Sequence, residues 1–200
     1  MQNYKKYCKF ANIMNRQNII IRQATIDDAK LIAYAVGTAI GEELMQEHFG
    51  ANWIDIIAEI SRLDVSQYSY RNTLVAEIND TPAGVIVAYD GARLDELRTQ
   101  TLRVIHQYNP DFTFSEDETE VGEYYIDTLC VLPQYRKQGI ATCLITSLCE
   151  KVFAEGKNCV GLIVDFDNLD AERLYTSLDF KRIKTRIFLG HQMWHLQKTR

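Results

Sequence analysis

The 200-residue sequence predicts one α/β (α+β) domain with a mixed central sheet. Two observations predict this class. A strand that ends at Pro133, a helix that begins at Gly139 and a continuous apolar run over residues 159–164 follow one another. This order is typical of a right-handed βαβ unit whose strands are parallel. Short strands separated by a tight turn precede the unit, and such strands pair antiparallel.

The elements before the βαβ unit are predicted from hydrophobic periodicity and turn residues. Thr25 and Asp28 form a capping pattern at the start of a first helix, whose apolar residues share one face. The other predicted elements are a strand at 18–23, a second helix at 52–63 and two strands at 73–78 and 83–88. The turn at 79–82 joins the last two strands into an antiparallel hairpin.

The second half of the chain contains the βαβ unit and a carboxyl-terminal hairpin. The predicted elements are a helix within 91–107, an acidic loop at 111–122, a strand at 123–132, a helix at 139–155, a strand at 159–164, a short helix capped at Asn168, and a hairpin of 181–189 and 192–196. Residues 19–198 are therefore predicted to form the domain, with an inserted helix and acidic loop at about 91–122. Residues 1–18 are predicted to be an N-terminal extension, for which disorder and a start at Met14 are both left open.

The composition restricts the class of partner. The net charge of −5 and the pI of about 5.4 argue against nucleic acid and anionic membranes. No apolar run approaches the roughly 18 residues of a membrane span, and the amino end lacks the apolar core of a secretory signal. The five cysteines include no C-x-x-C pair, which predicts reduced thiols in a cytoplasmic protein. A homodimer is left open.

The loop before the helix at 139–155 carries the clearest signal for a binding site. Arg136 and Lys137 place two positive charges beside a helix amino end, whose first N–H groups have no partner within the helix. Gly139 lets a ligand approach the backbone closely, and Ala141 keeps the first turn narrow. The pattern predicts a site for a diphosphate or a similar anion. An ordinary surface turn with two solvated cations is the alternative.

Three blocks of the sequence resemble the GNAT-type N-acetyltransferase family. Residues 136–141 (RKQGIA) resemble its Q/R-x-x-G-x-G/A signature, residues 168–180 (NLDAERLYTSLDF) resemble N-x-x-A-x-x-L-Y-x-x-x-G-F, and residues 21–29 (IRQATIDDA) are similar to an R-x-A-T-x-x-D-A opening. The resemblance implies a GNAT-like sheet with a parallel βαβ core that binds acetyl-CoA. The sequence departs from the family pattern at Asp179, which replaces a glycine at a turn expected to need a positive φ. It also departs at 91–122, which is longer than the usual link.

The resemblance implies acetyl-CoA as the co-substrate and assigns residues to it. The implied binding residues are Leu129, Cys130, Val131, Arg136, Lys137, Gln138, Gly139, Ile140, Ala141, Thr142, Asn168 and Tyr175. The backbone of 129–131 would pair with the pantetheine arm, and the N–H of Leu129 would stabilise the oxyanion. Tyr175 would protonate the departing thiolate, the alternative being a core tyrosine on an amphipathic helix. Asn168 would contact the coenzyme, cap a helix, or do both.

The acceptor amine must lose a proton before it attacks, because a lysine-like amine has a pKa of about 10.4. Glu123 and Asp127 alternate onto one face of the predicted strand, and both are candidate bases. Asp127 lies nearest the position at which several family members carry a carboxylate. An ordered water as the base and a solvated strand edge are the alternatives. His191 and His195 are four residues apart, but no third ligand stands nearby, so no metal site is expected.

The function predicted from these residues is acetyl transfer from acetyl-CoA to a primary amine of a small molecule or peptide, by direct attack. A catalytically silent acyl-CoA-binding or sensor domain on the same fold is the main alternative, and an unrelated nucleotide-binding α/β protein is another. Between Arg103 and Arg136 the chain has seven acidic residues and no lysine or arginine. This suggests an acidic mouth that favours cationic acceptors, with a solvated loop as the alternative.

Overall fold

The computed structural model describes residues 5–8, 18–114 and 116–200. Their helices and strands are β1 (Lys5–Cys8), β2 (Ile19–Gln23), α1 (Ala29–Ile40), α2 (Glu42–Phe49), α3 (Trp53–Ser61), β3 (Thr73–Ile78), β4 (Thr81–Asp90), α4 (Leu94–Ile105), β5 (Tyr124–Val131), α5 (Ile140–Ala154), β6 (Cys159–Asp165), α6 (Leu169–Ser177), β7 (Lys181–Phe188) and β8 (His191–Thr199). Within these residues the strands form one sheet in the order β1-β2-β3-β4-β5-β6-β8-β7. None of the helices described is long and apolar enough to cross a membrane.

The mixed α/β class predicted from the sequence is confirmed. Only β5 and β6 pair in parallel, and every other neighbouring pair in the sheet of described strands is antiparallel. Two elements differ from the predictions. Residues 5–8, expected to belong to an extension, pair with β2, while 1–4 and 9–17 lie outside the described residues. Residues 42–49 form α2, a short helix between Gly41 and Gly50 that periodicity did not indicate.

The sequence block at residues 21–29 (IRQATIDDA) has a structural explanation. Arg22 on β2 donates two hydrogen bonds to Asp28, at 2.7 and 2.9 Å, and a third to Glu77 on β3. The backbone N–H of Thr25 also donates to Asp28, which completes the predicted capping box. Burial alone would raise the pKa of Asp28, but these bonds outweigh it and lower the pKa. The block therefore fixes the start of α1 against β2 and β3.

The sheet has a hydrophobic core on each face. On one face α5 packs against the sheet, and the cluster includes Ile86, Leu144 and Phe180. On the other face α1 and α3 pack against residues such as Val85 and Val87. The alternation of Val85, Ile86 and Val87 between the two clusters is the period of a strand buried on both faces.

The parallel pair at the centre of the sheet is very short. β5 and β6 are in register only at Tyr124–Val160 and Tyr125–Gly161. Beyond these pairs β5 stays on β4, and β6 stays on β8 through Asp165. The two parallel strands therefore part, and they leave an opening at their carboxyl ends, where α5 and α6 begin.

A β-bulge interrupts the pairing of β4 and β5. Val87 lies opposite Thr128, whereas the next residue on β4, Ala88, lies opposite Ile126. Asp127 is the extra residue. Bulges bend a strand and re-aim a side chain, so Asp127 and Thr128 do not follow the simple alternation expected from the sequence.

The turns confirm two predictions. Asn79 and Asp80 have φ values of 50° and 58°, and they join β3 to β4 in the expected hairpin. Asp179, in place of the family glycine, has a φ of 67°. Aspartate tolerates this left-handed region better than most residues, which explains how the turn before Phe180 survives the replacement.

The predicted acidic loop was placed at 111–122. From here on the name acidic loop means residues 116–123, which are held by basic side chains from distant elements. Arg98 on α4 lies 2.6 Å from both Asp117 and Glu118, and Lys184 on β7 lies 2.6 Å from Glu120. Arg186 on β7 also pairs with Glu120. The acidic mouth stays a prediction, but the loop is not the freely solvated segment of the alternative hypothesis. It is pinned between α4 and β7.

Candidate functional site

The opening between β5 and β6 is bordered by backbone groups of β5 that face away from β4. The N–H of Leu132 donates to the carbonyl of Ala83 on β4 at 2.9 Å. In an antiparallel ladder alternate residues point to alternate sides, so the N–H and C=O groups of Leu129 and Val131 point away from β4, into the opening. The carbonyl of Val131 accepts a hydrogen bond there from Nε of Arg136, at 3.2 Å. An extended polar ligand could continue the sheet along β5.

The side chain of Cys130 points elsewhere. It is buried in the core on the α1 side, where its thiol interacts with Thr38. Burial raises the pKa of the thiol, which keeps it neutral and a poor nucleophile. Only the backbone of this predicted residue borders the opening.

The loop after β5 delivers the chain to the amino end of α5. Lys137 and Gly139 both adopt left-handed backbone conformations, with φ of 59° and 81°. Gly139 is the residue before the first helical turn, which begins at Ile140 and continues through Ala141 and Thr142. The N–H groups of this turn have no intrahelical acceptor. With the positive end of the helix dipole they form a cradle suited to an anion.

α6 begins on the other side of the opening. Oδ1 of Asn168 accepts from the N–H of Ala171 at 3.2 Å, so Asn168 caps the helix, which was one of its two predicted roles. Tyr175, about two turns after Asn168, is 8% exposed and packs edge-on against Phe180. Burial raises the pKa of Tyr175 to about 12. Its hydroxyl therefore keeps its proton throughout the physiological range.

Asp127 is the more unusual of the two predicted carboxylates. It accepts hydrogen bonds from the Tyr89 hydroxyl at 2.9 Å and from the Thr128 hydroxyl at 2.8 Å, and part of its surface stays accessible. Burial, followed by the negative charge of Glu118, raises its pKa to about 7. A carboxylate with such a pKa can accept a proton at neutral pH and release it again.

Glu123 lies in a different environment, beneath the start of β5. It is 3% exposed and accepts hydrogen bonds from His195 at 2.7 Å, Gln197 at 2.8 Å and Thr119 at 2.8 Å. Burial alone would raise its pKa, but these bonds outweigh burial and lower it. Because three donors stabilise its ionised form, the Glu123 carboxylate is a weak base. Its contacts are those of a residue that holds the fold together.

The two histidines on β8 do not converge. His195 is buried against Glu123, whereas His191 is exposed and pairs with Asp165 at 3.0 Å. Among residues 5–8, 18–114 and 116–200, no group of three or more metal-binding side chains is close enough together to hold a metal ion.

Comparison with known proteins identifies the family. Residues 42–180 match the family model described as the acetyltransferase (GNAT) family. The chain belongs to the GNAT acetyltransferase family. No curated protein sequence matches it significantly.

Solved structures agree with this assignment of a GNAT fold. A protein described as an acetyltransferase is 33% identical, with a TM-score of 0.77, over 90% of this chain and 98% of the other. An N-acetyltransferase from Staphylococcus aureus Mu50 is 27% identical, with a TM-score of 0.78, over 89% and 99%. The fold is also similar to that of yncA from Salmonella typhimurium, which was solved with its cofactor acetyl-CoA (15% identity, TM-score 0.58, 90% and 93% covered).

Sequence reasoning missed part of the surroundings of Asp127 in this GNAT domain. Tyr89 lies just beyond the strand predicted at 83–88 and was given no role, and Glu118 was counted only as one acid in a charged loop. Both are buried, and Glu118 also accepts hydrogen bonds from Gln67 and Arg98. The only available signal was the length of the 91–122 segment, which brings Arg98 and Glu118 together.

Proposed function

We propose that the protein is an acetyl-CoA-dependent N-acetyltransferase that acetylates a primary amine of a small molecule or a peptide. The observation that supports this most strongly is the opening between β5 and β6. It combines backbone groups of Leu129 and Val131 that face away from β4 with the amino end of α5. These features fit a ligand with an extended amide-containing arm and a diphosphate. Bound acetyl-CoA would supply the acetyl thioester.

Each end of the opening has a binding role in this proposal. The N–H groups from Gln138 to Thr142, together with Arg136 and Lys137, hold the diphosphate. The backbone of residues 129–131 holds the pantetheine arm as a neighbouring strand would. Asn168 borders the arm from the start of α6.

Three groups carry the chemistry. Asp127 takes the proton that the acceptor ammonium must lose, because its pKa of about 7 lies near the working pH. The Leu129 N–H stabilises negative charge on the carbonyl oxygen during attack. The Tyr175 hydroxyl donates a proton to the departing sulfur. Glu123 is left out of this scheme because three donors already occupy its oxygens.

The first test measures coenzyme binding at the start of α5. Gly139→Val places a branched side chain in the proposed diphosphate cradle, so we expect the affinity for acetyl-CoA, measured by calorimetry, to fall at least about tenfold. Gly156→Val is the matched control. Gly156 follows the other end of α5 with a φ of 86°, close to the 81° of Gly139, and no atom of the described residues lies within 4 Å of an added Cβ. Equal affinity in the two folded variants would contradict the proposed site.

A second test separates the enzyme from a silent binding domain. Thiol release from acetyl-CoA is measured with a panel of alkyl amines, polyamines and peptides. Release with any amine supports the enzyme. Tight acetyl-CoA binding without release from any member of the panel would instead support the acyl-CoA sensor.

Tyr175 can be tested once an acceptor is known. Tyr175→Phe retains the ring that packs on Phe180 and removes the acid, so turnover should fall by about 10² or more while acetyl-CoA affinity stays close to normal. Tyr124→Phe is the control, since Tyr124 packs against the same core. Normal turnover in Tyr175→Phe, with chemistry limiting the rate, would rule out this acid.

A further inference from the structure

Tyr89 forms a hydrogen-bonded bridge between two carboxyl groups. Its hydroxyl oxygen lies 2.9 Å from Oδ2 of Asp127 and 2.9 Å from Oε1 of Glu118. Burial, followed by the charges of the two carboxylates, raises the pKa of Tyr89 well above 10, so it remains a phenol with one proton. One proton can be donated to only one of the two oxygens. The other contact is a good hydrogen bond only when that carboxyl is itself protonated.

The surroundings decide which carboxyl takes the extra proton. Glu118 is 4% exposed, and it accepts from a guanidinium N–H of Arg98 at 2.6 Å and from the amide of Gln67 at 2.9 Å. Arg98 therefore compensates the charge of Glu118 directly. Within the described part of the chain, Asp127 accepts from the hydroxyls of Tyr89 and Thr128, and neither of these partners is a cation. The extra proton therefore resides on Asp127.

Other titratable groups also face Asp127. Tyr68, which follows α3, and Tyr125 on β5 both lie near enough to sense its charge, and Arg98 on α4 attracts it. The pKa of each tyrosine is raised well above 10, first by burial, so neither ionises near neutral pH. Glu118 is thus the nearby negative charge that can change the proton affinity of Asp127.

We propose that Glu118 is a positioning residue that acts through the Tyr89 hydroxyl on the proton accepted by Asp127. This inference rests on the proposed function, in which Asp127 is the base. The residue comes from the acidic loop, within the segment that is longer than usual for the family.

The proton transfer balances without breaking the O–H bond of Tyr89. An N–H bond of the acceptor ammonium breaks and an O–H bond forms on Asp127. The Tyr89 hydroxyl, which donates to Asp127 while that group is ionised, turns and donates to Glu118. The new O–H of Asp127 then donates to the Tyr89 oxygen. Protonated Asp127 gives both contacts of the Tyr89 hydroxyl a hydrogen, whereas ionised Asp127 leaves the contact between Tyr89 and Glu118 without one. The charge of Glu118 therefore makes Asp127 the stronger base.

Two substitutions test the bridge through the titration of Asp127. Glu118→Gln keeps the shape and removes the negative charge, so the midpoint should fall by about one pH unit. Tyr89→Phe removes the bridge, so Glu118→Gln should lower the midpoint clearly less in the Tyr89→Phe background than in the parent. The control is Glu116→Gln in the same loop. Glu116 accepts from the N–H of Leu189 instead, and the midpoint should stay unchanged.

The measurement is carboxyl ¹³C NMR of the full chain labelled in aspartate, with the Asp127 signal assigned from Asp127→Asn. The titration needs neither an acceptor nor turnover, so its result can be distinguished from a failure of the proposed function. A fall of the midpoint in Glu118→Gln that becomes clearly smaller when Tyr89 is phenylalanine supports the proposal. No fall in folded Glu118→Gln, or an equal fall in both backgrounds, would overturn it. If the double variant does not fold, Thr128→Val in place of Tyr89→Phe is the second background, and there the full fall is expected. With a known acceptor, the acid limb of kcat/KM should move by the same amounts.

Discussion

Glu123 and Asp127 stand four residues apart on one stretch of chain, and strand alternation places them on the same face, yet the fold gives them opposite properties. Glu123 accepts from His195, Gln197 and Thr119, and its pKa is lowered. Asp127 accepts from two hydroxyls, lies near Glu118, and has its pKa raised to about 7. The donors and charges around a carboxyl, more than its position along a strand, decide whether it can act as a base.

Backbone geometry explains much of this difference. Gly161 lies against Glu123 and leaves room for it, because a Cβ at this position would come within 1.8 Å of Oε2 of Glu123. Donors on β8 can therefore close around the carboxylate. Asp127 occupies the bulge between β4 and β5, where Tyr89 and the acidic loop meet it. The ionised carboxylate of Glu123 is fully hydrogen-bonded, whereas Asp127 can gain or lose a proton near neutral pH.

The largest expected effect is on turnover. Asp127→Asn removes the proposed base while preserving shape, so kcat/KM for an amine acceptor should fall by about 10² to 10⁴. Glu123→Gln should keep kcat/KM within about threefold of normal, because its oxygens are used for structure. Steady-state kinetics on both variants, at a temperature at which both are folded, makes the comparison. A greater loss in Glu123→Gln than in Asp127→Asn would reverse the assignment.

The next effect is on stability around Glu123. Gly161→Ala would force its Cβ against the carboxylate, so we expect the free energy of unfolding to fall by about 3 kcal/mol, as for other disrupted buried networks. Glu123→Ala alone should also destabilise, because it leaves the donors His195, Gln197 and Thr119 without an acceptor. The double variant should lose clearly less than the sum, since the clash disappears. Denaturant unfolding of the four proteins measures this coupling, and strict additivity would show that the carboxylate is not what Gly161 accommodates.

The sequence predicted the parts of this fold whose signals are local. The βαβ unit, the turn at Asn79 and Asp80, and the positive φ at Asp179 all follow from short stretches of residues. The amino end of α5 was predicted for the same reason, because a helix start after a glycine is a local feature.

The surroundings of the two carboxylates depend on contacts between distant residues. The acidic loop looks solvated in the sequence because its cations come from Arg98, Lys184 and Arg186, on other elements. The bulge at Asp127 has no marker such as glycine, since it arises from the register of β4 against β5. Sequence reasoning could therefore name both carboxylates but could not tell them apart.

The smallest effect is the pH dependence of stability, and its sign differs between the two carboxylates. The pKa of Asp127 in the folded chain, about 7, exceeds the usual value of about 3.9. Between these values the folded state binds more protons than the unfolded state, so the stability that Asp127 contributes is complete at low pH and is lost as the pH rises towards 7. Glu123 has a lowered pKa, so its contribution is present above its usual value and is lost only as the pH falls below about 4. Asp127→Asn should consequently gain stability relative to the parent between pH 5 and pH 8, by about 2–3 kcal/mol or several degrees in Tm. Glu123→Gln should be less stable than the parent by a nearly constant amount over that range.

Thermal unfolding of the three proteins at pH 5, 6.5 and 8 gives these differences, in which the titration of other groups cancels. A difference between Asp127→Asn and the parent that does not change with pH would mean that Asp127 titrates as an ordinary aspartate, and the contrast with Glu123 would then lose its electrostatic basis.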